Sequence, residues 1–289
     1  MMRNFIDRYK NQLDVFIKNA LNEDIGIADH TSLSCIETEI MSSAKLIVKE
    51  SGYLAGVSLS KLIFEHYDRR LKVEIMIEDG SRIKKGDIAF KVHGPALSIL
   101  ATERLVLNTI QKMSGITSFT KDLNNMIKHT NCKILDTRKT TPNFRYAEKF
   151  AVMIGGGNNH RMGLFDAILI KDNHIDYCGG MKNTLKKIEK YLNKLNKKLD
   201  VVVECRNQKE IDSAINFDFV NRILLDNYNP KELIKALSLI RGRKKTEASG
   251  RIRKRNIVEY AETGVDFVSI GELTNNIKSI DMSLKAIAI

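Results

Sequence analysis

Six stretches of the chain close on residues able to do chemistry. KILD (133–136), AILIK (167–171), VVVE (201–204), RILLD (222–226), TEAS (246–249) and FVSIG (267–271) are short strand-like stretches, all but TEAS mainly apolar, ending in Asp136, Lys171, Glu204, Asp226, Ser249 and Gly271. Six polar or glycine endings in a row fit an enzyme that gathers its site at one end of a parallel sheet. The loop Asp136–Arg145 (DTRKTTPNFR) carries Arg138 and Lys139 among three threonines. Arginine clamps a carboxylate through two parallel hydrogen bonds, and lysine adds a point charge. Gly155-Gly156-Gly157-Asn158-Asn159-His160-Arg161 follows. Its glycines permit close backbone approach, and His160 and Arg161 offer directional donors.

Lys171 ends an apolar strand, so its ammonium is expected in the mouth of the sheet, as a Schiff-base amine or a fixed cation. Glu204 and Asp226 end neighbouring strands. They suit ribose hydroxyls, a hydrated Mg²⁺ or acid–base work. Ser249-Gly250 and Ser269-Ile270-Gly271 suit a backbone cup for phosphate. Singly, each has a plainer reading: a solvated basic loop, a linker, or, for His174, a structural histidine. Together they describe a pocket for a polyanionic substrate with a phosphorylated sugar.

The elements that must hold these residues follow from periodicity. The strand ends recur roughly every 20 to 35 residues, the length of a β/α unit. A barrel is favoured over a doubly wound sheet because no dinucleotide glycine fingerprint appears. Before about Lys133 the pattern is α+β. A helix is predicted over Ile6–Leu21 and another up to about Tyr67. Strands are predicted at Ala44–Val48, Lys72–Ile77 and Ile88–Val92, and a long helix after Pro95.

With 289 residues, 43% of them hydrophobic, the chain can bury a full core. No apolar run approaches the roughly 18 residues of a membrane span. The first residues turn charged too early for a secretory signal. The four dispersed cysteines, Cys35, Cys132, Cys178 and Cys205, read as thiols of a reducing cytoplasm. The net charge of +12 admits a nucleic-acid partner or an anionic substrate. Much of it sits in Lys182–Lys198, where Leu185, Ile188, Leu192 and Leu195 fall at helical spacing. That pattern is an amphipathic helix with a solvated basic face, and no nucleic-acid motif or aromatic stacking stripe accompanies it.

At these stretches the chain resembles the quinolinate phosphoribosyltransferase family. DTRKTTPNFR, EKFAVMIGGGNNHRMGLFDAILIKDNHI, EASG and VDFVSIGELT carry the resemblance in the second half. LNEDIGIADHTS, KESGYLAGV, EDGSRIKKGD and ATERLVLN…SGIT carry it in the first. The resemblance implies an α/β protein: an open α/β sandwich over residues 1–110, an incomplete (β/α) barrel over 111–275, and a return to the sandwich over 276–289. It implies a cytoplasmic homodimer in which Arg104 acts in trans, with no nucleic-acid or membrane partner. The implied reaction is quinolinate plus phosphoribosyl pyrophosphate giving nicotinate mononucleotide, pyrophosphate and CO₂, with Mg²⁺, in NAD biosynthesis.

By the same resemblance, Arg104, Arg138, His160 and Arg161 hold the two carboxylates of quinolinate. Lys139 and Lys171 add charge near the carboxylate and pyrophosphate. Glu204 and Asp226 engage ribose and, through water, the metal. Ser249, Gly250 and Gly271 hold the 5′-phosphate. The chain departs from the family pattern at Asn143 and Arg251, where glycine (or, at Arg251, asparagine) is usual. Val202 and Arg206 stand where further acids are common, and Asn275-Asn276 replaces a His-Ser pair. Arg251 and Asn275-Asn276 are expected near the phosphate cup, with Arg251 turned to solvent. Competing readings are the related molybdenum-transport-operon homologue, a phosphoribosyltransferase for another base, and a basic nucleic-acid-binding protein. The intact set of cations favours a dicarboxylate.

Overall fold

A computed structural model describes residues 2–195 and 197–287. The chain divides into two compact units. One comprises Met1–Lys121, Thr140–Gly156 and Leu273–Ile289; the other comprises Asp122–Lys139 and Gly157–Glu272.

In the first unit, β1 (Met41–Val48), β3 (Lys72–Ile75), β5 (Ile88–Pro95) and β12 (Met282–Ala286) form an antiparallel sheet ordered β12-β1-β5-β3. The short strands β2 (Gly52–Tyr53) and β4 (Arg82–Ile83) pair separately. Ala44, Leu46 and Val48 alternate into the core, as the period of two requires. Phe90 meets Phe64 of the helix Val57–Tyr67 edge to face, with ring centres 5.9 Å apart. Pro95 ends β5, and the helix Ala96–Ile127 begins at once. The helix expected over Ile6–Leu21 is two helices, Met2–Arg8 and Lys10–Ile25. Tyr9 breaks them at φ −115° and ψ 23°, with its ring against Phe5 and Tyr146.

The second unit is a parallel sheet of six strands. They are β6 (Lys133–Leu135), β7 (Ala167–Ile170), β8 (Asp200–Glu204), β9 (Arg222–Asp226), β10 (Lys245–Ser249) and β11 (Phe267–Ser269), in the order β6-β11-β10-β9-β8-β7. Among the described residues β6 and β7 do not pair with each other, so the barrel is incomplete. The outer edge of β6 is instead covered by Asn158, whose N–H donates to Ile134 O (2.8 Å) and whose carbonyl accepts from Asp136 N (3.1 Å). Val201–Val203 and Ile223–Leu225 are buried, the continuous apolar run expected of a parallel strand. Asn229 and Glu232 form a capping box on the helix Pro230–Ile240. The lysine-rich helix spans Met181–Lys194, with Thr184 and Leu185 inward and its lysines exposed, and so ends before the expected Lys198. No helix among the described residues is long and apolar enough to cross a membrane.

Candidate active site

At the C-terminal ends of the barrel strands lies a cavity of about 680 Å³. The loop after β6 supplies Thr137, Arg138 and Lys139, and the segment before β7 supplies His160 and Arg161. Lys171 and Asp172 follow β7, and Glu204 and Asp226 end β8 and β9. Ser249, Gly250 and Arg251 follow on β10, then Ser269 and Gly271 on β11. Ten of the eleven site residues expected from sequence therefore meet in one cavity. The eleventh, Arg104, is not among its lining residues. It is exposed on the long helix of the first unit, in a separate cavity of about 460 Å³ with Lys112, Asn143 and Phe144.

The cationic side is crowded. Burial and the neighbouring Arg138 guanidinium both lower the affinity of Arg161 for its proton. Two cations held this close prefer an anion between them. The side chain of Lys139 crosses directly over Gly271. The 158–161 segment is held from beneath by Asp136, a fully buried carboxylate that accepts from His160 N (2.8 Å) and Asn159 Nδ2 (2.7 Å).

The acidic side is under opposite strain. Burial, then the charges of Asp226 and Asp172, push the Glu204 carboxyl up to about 6, with Lys171 acting against them. Lys171 is exposed at the start of the helix Asp172–Tyr177. His174 caps that helix by accepting Lys171 N–H on Nδ1 (2.9 Å), so His174 is structural. Val202 is buried inside β8, and Arg206 is spent on Glu210 and Asp176. Neither extends the acidic set.

Two departures from the family pattern have a backbone reason. Asn143 stands at φ +62° and Arg251 at φ +57°, in the left-handed region that favours glycine. Asparagine tolerates it; arginine does so at a cost of about 1 kcal/mol. Arg251 is exposed, as expected, yet it also lines the cavity beside Gly250. Asn275 and Asn276 are both exposed, and neither is among the residues lining the cavity.

Sequence reasoning passed over Glu247. This carboxylate is buried inside β10, accepts from Ser269 Oγ (2.6 Å) and Arg222 Nη1 (2.9 Å), and faces His160 Nε2 at 3.5 Å. Burial alone would raise its pKa; His160, Ser269 and Arg222 outweigh burial and hold it below the ordinary carboxylate value. The available signal was its spacing. It sits two residues before Ser249 and so shares that residue's face of the strand.

An incomplete barrel with clustered arginines facing paired acids, and glycines on its later strands, defines an enzyme for a phosphorylated, polyanionic substrate. The comparisons make this specific: the chain belongs to the quinolinate phosphoribosyltransferase family. The model of that family's C-terminal domain matches residues 116–285, and that of its N-terminal domain matches 29–114. A chloroplastic nicotinate-nucleotide pyrophosphorylase [carboxylating] of Arabidopsis thaliana is 42% identical, over 94% of this chain and 82% of that one. A probable enzyme of the same name from Bacillus subtilis is 37% identical, over 94% and 93%. The solved nicotinate-nucleotide pyrophosphorylase of Francisella tularensis superposes with a TM-score of 0.86 at 37% identity, covering 96% of each chain.

Proposed function

We propose that this chain transfers the phosphoribosyl group of phosphoribosyl pyrophosphate to quinolinate with loss of CO₂, giving nicotinate mononucleotide and pyrophosphate for NAD synthesis. The observation that carries the reading is the single cavity in which Arg138, Arg161, Lys139 and Lys171 oppose Glu204 and Asp226. Quinolinate brings two carboxylates, which the two guanidiniums suit as bidentate partners. Family membership supplies the reaction type.

The bond from ribose C1 to the pyrophosphate oxygen breaks as the pyridine nitrogen approaches C1. Lys139 and Lys171 neutralise charge gathering on the leaving group. Glu204 and Asp226 hold the ribose hydroxyls, and Ser249, Gly250 and Gly271 anchor the 5′-phosphate so that C1 stays in line. Once the ring nitrogen is quaternary, the bond to the adjacent carboxylate breaks with its electron pair left on ring carbon. The positive nitrogen stabilises that pair until a proton replaces CO₂. No protein nucleophile takes part.

The donor chemistry fits Mg²⁺. Burial, then the charge of Asp226, raises the Glu204 pKa, and a cation between the two carboxylates would relieve the part due to their repulsion. Held through water by these two carboxylates, Mg²⁺ would supply charge neutralisation for the pyrophosphate. The working unit in this reading is a cytoplasmic homodimer, in which Arg104 of one copy completes the quinolinate site of the other. The exposed side chain of Arg104 on the long helix suits a residue offered to a second copy.

Purified protein with quinolinate, phosphoribosyl pyrophosphate and Mg²⁺ is expected to yield nicotinate mononucleotide and CO₂ in equal amounts. Nicotinate, lacking one carboxylate, is expected to turn over far more slowly, and Arg138→Ala to abolish quinolinate turnover. A folded protein with no quinolinate turnover would overturn the reading.

A further inference from the structure

His160 is held at three points. Its backbone N–H donates to the buried Asp136 carboxylate (2.8 Å). Its ring Nδ1 accepts the backbone N–H of Arg161 at 2.7 Å, so the ring proton belongs on Nε2. Nε2 faces Glu247 Oε2 at 3.5 Å and is itself buried from the cavity. Although the ring lines the cavity wall, both of its nitrogens are turned to protein.

We propose that Glu247 and Asp136 are positioning residues of the substrate site, and that His160 acts as the bracket through which they fix Arg161, rather than as a ligand of a substrate carboxylate. The chain of contacts is continuous. Arg222 and Ser269 orient the Glu247 carboxylate. Glu247 selects the ring tautomer that leaves Nδ1 bare. Bare Nδ1 holds the Arg161 main chain, which sets where its guanidinium enters the cavity. Asp136 fixes the other end of the same segment and lies two residues before Arg138, so one buried acid sets both arginine-bearing loops. The inference rests on the reading of the cavity as a dicarboxylate site.

The test is a ¹⁵N–¹H correlation spectrum of the histidine rings, with the His160 signals assigned by their loss in His160→Gln. The probe is phthalate, a dicarboxylate without the ring nitrogen. Expected are a bare Nδ1 and a protonated Nε2, both unmoved by saturating phthalate. In turnover, Glu247→Gln is expected to raise the quinolinate KM about tenfold, the effect of one misplaced charge-assisted hydrogen bond. The phosphoribosyl pyrophosphate KM should stay within about twofold. If Glu247→Gln does not fold, Ser269→Ala, which removes one contact to the carboxylate, is expected to move the quinolinate KM the same way by a smaller factor. A His160 nitrogen that shifts as phthalate binds, or a quinolinate KM unchanged in the folded variant, would overturn the proposal. The spectrum needs no turnover. A protein inactive on quinolinate refutes the proposed reaction, whereas an active one with a phthalate-sensitive His160 refutes only the bracket.

Discussion

The Cδ of Lys139 lies 2.9 Å from the point where a Cβ on residue 271 would stand, so Gly271 is the floor over which this lysine reaches. The contact is with a flexible side chain, and Gly271 has no left-handed backbone. Gly271→Ala therefore costs little in folding but displaces Lys139. The expected outcome is a melting temperature within about 2 °C of wild type and a kcat/KM lowered about tenfold. Steady-state kinetics beside a thermal melt checks both. An active Gly271→Ala enzyme would remove Lys139 from the chemistry.

Gly250 makes the opposite case. Its φ is +90°, and a Cβ there would meet Asn227, including the backbone N at 2.7 Å. Neither the strain nor the backbone can yield cheaply, and Gly250→Ala is expected to cost about 2–3 kcal/mol in chemical denaturation. Next to it, Arg251→Gly relieves about 1 kcal/mol of left-handed strain, offset by the greater freedom of glycine in the unfolded chain. Its stability should hold. Because Arg251 is exposed and lines the cavity, its loss is expected to raise the KM for phosphoribosyl pyrophosphate about threefold. An unchanged KM would return Arg251 to solvent.

These neighbours show what the sequence could and could not announce. Parallel strands buried on both faces leave unbroken apolar runs, so β8 and β9 were legible together with Glu204 and Asp226 at their ends. Lys171, at the end of AILI, was legible for the same reason, and Ser249 by its place in the regular spacing of strand ends. Glu247 was hidden because an acid inside the strand TEAS breaks no pattern until the fold brings His160, Arg222 and Ser269 around it. The left-handed backbones of Asn143 and Arg251 were hidden because neither residue type announces a positive φ as glycine does. The break at Tyr9 was hidden because it depends on the rings of Phe5 and Tyr146 rather than on a helix-breaking residue.

Glu204 gives a pH dependence with a definite sign. Its carboxyl is raised from 4.5 to about 6 in the folded chain, by burial and by Asp226 and Asp172. A raised pKa means that the folded state holds the proton more tightly. This contribution to stability is complete below the unfolded value near 4.5 and gone above about 6. Relative to Glu204→Gln, the melting temperature of the wild type without metal is expected to fall as pH rises through that window. If Mg²⁺ binds beside Glu204 as proposed, it competes with the same proton, and adding it should narrow the difference between the two proteins above pH 6. Parallel melting curves at every pH would show that Glu204 is not the titrating group.

Arg104 carries the prediction that decides the assembly. If it serves the cavity of a second copy, Arg104→Ala and Arg138→Ala are each inactive for different reasons. A dimer made of one of each then keeps one site with both arginines. Refolding or co-expressing the two variants in equal amounts makes about half the dimers mixed, each with one working site of two. Activity should return to about a quarter of wild type. Each variant alone should stay near background. Were Arg104 instead to serve the cavity of its own chain, no mixture could restore it, because every site would carry one defect or the other. Mixing therefore separates the two arrangements by a measurable rate, and the yield of mixed dimer, read by native mass spectrometry, fixes the value that rate must reach.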